Sequence, residues 1–79
     1  MNTQPPQFRV SSSDGAYTDT FFTTSADAIN EAREQSMQPL HRDVAFSVHD
    51  VSSPRQPIFR GEFINGNWHP GVSLPETRF

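Results

Sequence analysis

The sequence predicts an α+β domain: a four- to five-stranded antiparallel sheet with one helix packed on one face, in the order ββαββ(β). Three observations predict it. Two X-Gly pairs, Asp14-Gly15 and Asn65-Gly66, each sit between runs of alternating apolar and polar residues, the pattern of a tight hairpin. A stretch rich in alanine and glutamate, SADAINEAREQ, lies between the two pairs and has helix propensity. The segment DVAFSVHDV alternates with period two, which marks a strand with one buried face.

The elements follow in chain order. Residues 1–6 carry Pro5-Pro6 among polar neighbours and read as an extended or disordered arm. The folded core is expected over 7–69 of a single domain spanning 1–79, with 70–79 as an irregular tail. In QFRVSSSDGAYTDTFF, a two-residue turn at Asp14-Gly15 pairs Ser12 with Tyr17, Val10 with Asp19 and Phe8 with Phe21. Phe8, Val10, Tyr17 and Phe21 then share a face, opposite Arg9, Ser11, Thr18 and Thr20. Asp19 falls on the apolar side, so a bulge or a register shift of one near Phe21-Phe22 is a competing arrangement. Thr24 or Ser25 caps the helix, and Asp27 lies in its first turn, where the dipole favours an acid. Its apolar stripe is Ile29, Ala32, Ser36 and Met37, extended by Ala26 and Leu40, and Pro39 ends it.

In the third strand Val44, Phe46 and Val48 face one way, and Ala45, Ser47, His49 and Val51 the other. SSPRQP is a loop. In IFRGEFI, Phe59 and Phe63 alternate with Arg60 and Glu62, and Gly61 leaves room for a bulky neighbour. A turn at Asn65-Gly66 sets Phe63 opposite Trp68 and Glu62 opposite His69, so Trp68 closes the core at one sheet edge. Phe22, Val51 and Phe79 have no obvious place on the core face and are candidates for a helix edge or a self-association surface.

Composition narrows the function. The chain has 79 residues, no cysteine and a net charge of −3. A chain of this size buries about 60–65% of its unfolded surface. The missing cysteines exclude a disulfide framework, a thiolate metal site and a thiol nucleophile. MNTQPPQ has neither the basic region nor the apolar run of a signal peptide, and no apolar run approaches the ~20 residues that span a bilayer. A cytoplasmic protein with no membrane contact is expected. All six basic residues are arginines. The mildly acidic balance argues against a general nucleic-acid binder, which carries a basic field.

No pattern points to catalysis. His41-Arg42-Asp43 matches a kinase tripeptide without the loops that hold a nucleotide. Leu74-Pro75-Glu76-Thr77 matches most of a sortase signal, but Arg78 stands where glycine is required. The serines have no histidine at a persuasive spacing. His49, His69 and Glu62 lack a spacing that specifies a metal. The expectation is therefore a protein that is not an enzyme and needs no cofactor or metal.

The binding candidates lie on the polar sheet face and one loop: Arg9, His49, Arg60, Glu62 and His69 on strands, and Arg55 between Pro54 and Pro57. A stiffened arginine loses little entropy on docking, and arginine is enriched at interface hot spots.

The layout carried by FRVSSSDGAYTDTFF, SADAINEAREQ and AFSVHD…IFRGEFINGNW resembles that of small phage and mobile-element proteins, among them anti-CRISPR proteins directed at type I surveillance complexes. The resemblance covers most of residues 8–69. These families share no sequence motif, so it carries over no functional residue. It implies a non-enzymatic inhibitor that binds a CRISPR-Cas ribonucleoprotein complex in the host cytoplasm and blocks target DNA binding or nuclease recruitment. The alternative is a nucleic-acid-binding or homodimeric accessory module of a phage or plasmid.

Overall fold

A computed structural model of the chain describes residues 6–53 and 55–71; the expected N-terminal arm before Pro6, and the tail with Phe79, lie outside them. Five strands form one antiparallel sheet: β1 (Phe8–Ser12), β2 (Thr20–Phe22), β3 (Ala45–Asp50), β4 (Ile58–Ile64) and β5 (Asn67–Pro70). Their order in space is β2-β1-β3-β4-β5. Helix α1 (Ser25–Ser36) crosses one face, and a short 3-10 turn (Pro39–His41) follows it. This is the predicted α+β architecture.

The helix begins where Thr24 accepts the Asp27 amide at 3.2 Å, which satisfies one of the free first-turn donors. Its buried line is Ala28, Ala32 and Ser36, one residue every four, with Ile29 packed beside it. Small residues let the helix axis approach the sheet closely. The outer members of the expected stripe do not join: Ala26 and Met37 are exposed, and Leu40 is 93% exposed. The helix stops at Ser36 and the chain turns away before Leu40 can reach the sheet.

The core under the helix is Val10, Ala28, Ala32, Phe46, Val48 and Phe63. Burying Phe46, Val10 and Val48 contributes about 1.5–3 kcal/mol each. Tyr17 closes one side, edge-on to Phe46 at 5.4 Å, with its hydroxyl donating to Glu31 Oε2 at 2.7 Å. His41 closes another side, its ring 5.0 Å from Phe46.

Two strand registers differ from the simple alternation, the first by the shift of one already open as the competing arrangement, and both differences move an aromatic ring. Near the first turn, β1 pairs as Phe8–Phe22, Arg9–Phe21 and Val10–Thr20, one residue along from the two-residue hairpin. Residues 13–19 form a longer connection instead. Only Gly15 of the Asp14-Gly15 pair has positive φ, 72°, and a type I′ turn needs both. Phe22 therefore packs on the core, and Phe21 turns to the opposite face.

In β4, Val48 pairs with Gly61 but His49 pairs with Phe59. Arg60 is the extra residue of a β-bulge, which reverses the alternation beyond it. Phe59 leaves the core side expected for it and joins His49 on the open side, while Arg60 drops out of the polar row expected to hold it. The bulge forms at Gly61, whose φ of 150° suits only a residue without Cβ. The Trp68 ring occupies the space a side chain there would fill.

The Asn65-Gly66 turn forms as expected, with φ of 52° and 82°. Ile64–Asn67, Phe63–Trp68 and Glu62–His69 pair in the expected register. Trp68 lies 4.9 Å from Phe63 and remains 37% exposed, so it closes the core edge in part. The ladder includes Pro70, and the Gly71 amide donates to the Arg60 carbonyl at 3.0 Å.

Candidate functional site

Among the described residues, no helix or strand covers the sheet face opposite α1. Alternation in β1 and β3 sends Val10, Phe46 and Val48 to the helix side and Arg9, Ser11, Ser47 and His49 to the open side. Antiparallel pairing then aligns these side chains in rows across the strands.

The first row runs Phe21–Arg9–His49–Phe59. It spans three strand spacings, about 14 Å. Phe21 and Phe59 are 50% and 42% exposed. The His49 and Phe59 rings are 5.4 Å apart. The second row runs Ser11–Ser47–Glu62–His69, and the Ser47 hydroxyl donates to Glu62 Oε1 at 3.4 Å. An aromatic and cationic row thus lies beside a hydroxyl and carboxylate row.

Two polar atoms of the first row, Arg9 Nε and His49 Nδ1, are shielded from water and, among the described residues, have no hydrogen-bond partner. Partial burial lowers the His49 pKa below 6.5, and the neighbouring Arg9 charge lowers it further, against a smaller opposing pull from Asp19. His49 is therefore neutral at pH 7, and Arg9 supplies the positive charge of the row. Arg9 also lines an open depression of about 300 Å³ together with Pro6, Phe21, Val51 and Pro57. This gives Val51 its place: it walls the open side rather than the core.

The six residues singled out from the sequence separate into three groups. Arg9 and His49 are direct cross-strand partners. Glu62 and His69 oppose each other one row away. Arg60 and Arg55 stand apart. Arg60 sits in the bulge, exposed, where its charge helps lower the Asp50 pKa after the Ser52 hydrogen bonds. Arg55 is exposed on the β3–β4 connection beside a separate depression lined by Ser52, Ser53 and Gln56. That loop is braced by Asp50, whose Oδ1 accepts from the Ser52 amide and hydroxyl at 3.0 and 2.7 Å.

Sequence reasoning missed Phe59 as a face residue, although a mid-strand glycine marks a bulge; Phe21 reaches the face through the register shift of one that the misplaced Asp19 had left open.

Among the described residues, no three His, Asp or Glu side chains converge to hold a metal ion, and no helix is long and apolar enough to cross a membrane. Comparison with protein families, curated proteins and solved structures finds no match. The functional reading therefore rests on the geometry of the face.

Proposed function

We propose that this chain is a non-enzymatic protein-binding inhibitor that docks through its open sheet face and acts by occlusion. One observation carries the reading: the row Phe21–Arg9–His49–Phe59. Two half-exposed aromatic rings flank an arginine on the sheet face that no described helix or strand covers, with a polar row beside them. Aromatic residues and arginine dominate interface hot spots, and polar residues form the rim. The sheet holds the row rigid, so little entropy is lost on docking. The partner class is a CRISPR-Cas surveillance complex of type I, and docking blocks target DNA binding or nuclease recruitment. The site of action is the host cytoplasm.

The test is a binding and inhibition assay with a purified type I surveillance complex. The chain co-elutes with the complex and suppresses its binding of target duplex. Arg9→Glu and Phe59→Ser each weaken binding by about tenfold or more, while their Tm stays within about 4 °C of the parent, as for surface substitutions. Undiminished binding by both variants would refute the choice of face.

A second reading draws on the same two rings. Exposed aromatics on an open antiparallel sheet also stack the bases of single-stranded nucleic acid. Binding of oligothymidine at submicromolar concentration, weakening steeply with salt, would favour that alternative over protein docking.

A further inference from the structure

We propose that the depression beside Arg9 is a recognition site for a carboxylate carried among apolar side chains, an aspartate or glutamate of the docking partner flanked by hydrophobic residues. The inference rests on the protein-docking reading above and specifies the partner's chemistry.

Three observations converge. The depression of about 300 Å³ has apolar walls, Pro6, Phe21, Val51 and Pro57, with Arg9 as its charged lining residue. A pocket of this composition orients a ligand through a polar contact, here Arg9, and holds it by apolar contact around that point. Arg9 Nε lies shielded and, among the described residues, has no hydrogen-bond partner, so nothing in the described fold uses that donor of the guanidinium. At His49, moreover, the Arg9 charge lowers the pKa after burial and ranks ahead of the opposing pull from Asp19, so Arg9 is the stronger of the two charges acting on its cross-strand partner.

A guanidinium fork pairs with a carboxylate in a planar, two-point geometry, and the apolar walls offer contact to the hydrophobic side chains that flank it. Among the described residues that line it, Arg9 carries the charge, so the site matches one carboxylate rather than a multiply charged anion.

The experiment is NMR titration of the isolated protein with phenylacetate, which joins an aromatic ring to a carboxylate. The controls are phenylacetamide, inorganic phosphate and oligothymidine. Phenylacetate shifts the Arg9 Nε–Hε signal and the amides of Val10, His49 and Val51, with a dissociation constant on the order of millimolar. Phenylacetamide leaves the Arg9 signal in place. Arg9→Gln weakens the phenylacetate response about tenfold, whereas Arg9→Lys, which keeps the charge without the fork, retains part of it.

Equal responses to phenylacetate and phenylacetamide, or shifts confined to other surfaces, would overturn the carboxylate site. If Arg9→Glu still abolished binding of the surveillance complex, protein docking would stand without it. Tighter binding of phosphate and oligothymidine than of phenylacetate, centred on Phe21 and Phe59, would overturn both readings in favour of nucleic acid.

Discussion

The two X-Gly pairs of this chain start from nearly the same local chemistry and end in different structures. Asn65-Gly66 forms a tight turn with both residues at positive φ. At Asp14-Gly15 only the glycine is at positive φ, and the strands it separates are joined by seven residues, 13–19. The difference lies in what each pair meets. Asn65 and Asp43 exchange two hydrogen bonds of 2.9 Å, from the Asp43 amide to Asn65 Oδ1 and from Asn65 Nδ2 to Asp43 Oδ1. The Gly66 amide donates to the buried Ser36 hydroxyl at 3.0 Å, and that hydroxyl donates to the Arg33 carbonyl at 2.8 Å. The second turn is thus clamped to the helix end and to the segment before β3. Asp14, in contrast, spends its carboxylate locally, accepting from the Ser12 hydroxyl and the Ala16 amide at 2.8 and 3.0 Å. Such an Asx arrangement competes with a tight hairpin. An X-Gly pair permits a type I′ turn, and tertiary partners decide whether it forms.

The comparison can be broken most severely at Gly61, which supports the clamped hairpin. A Cβ there would collide with the Trp68 ring and lie 2.9 Å from the His69 carbonyl oxygen, at a φ of 150°. Gly61→Val is expected to cost about 3 kcal/mol or more, read as a large loss of midpoint in urea. Ser36→Ala strikes the clamp itself. It strands the Gly66 amide and costs about 1–3 kcal/mol, with faster hydrogen exchange at Gly66 as the local sign.

A paired substitution sharpens the contrast. Gly15→Ala meets nothing within 4 Å and bears only the positive-φ penalty, about 1 kcal/mol. Gly66→Ala bears the same penalty and also displaces the Met37 side chain, 2.9 Å from its Cβ. Thermal melts should rank Gly66→Ala as the less stable of the two, and the reverse order would contradict the clamp.

The smallest effect is electrostatic. The hydrogen bonds from the Ala16 amide and the Ser12 hydroxyl lower the Asp14 pKa from its ordinary 3.8. A carboxylate with a lowered folded pKa stabilises the fold above the unfolded value and loses that contribution as pH falls through the folded value. The Tm advantage of the parent over Asp14→Asn should therefore be constant above about pH 5 and shrink as pH falls below 3.8. An advantage independent of pH down to 2 would show that ionisation at Asp14 is irrelevant to the loop.

The same contrast explains how far the face could be read in advance. Arg9, His49, Glu62 and His69 were legible because they alternate with Val10, Val48 and Phe63 in segments whose registers run regularly. Phe59 was not, and Phe21 was legible only through the competing register. Each lies just beyond a register change, and one inserted residue sends every later side chain to the other face. Arg60 was assigned to the face for the same reason that Phe59 was denied it. Leu40 and Met37 were assigned to the helix stripe by spacing alone, and the early end of α1 left both in solvent.

By itself the sequence determined the element order, the helix with its Thr24 cap, the tight second turn and the polarity of β1 and β3. Those depend on local backbone preference and on hydrophobic period, which neighbouring residues encode. Tertiary structure decided where the ladder slips: the bulge at Arg60, which lets the Trp68 ring settle on Gly61, and the long first connection, which places Phe22 in the core. Those choices follow from packing between residues far apart in the chain, and they alone set the aromatic rings of the open face on either side of Arg9.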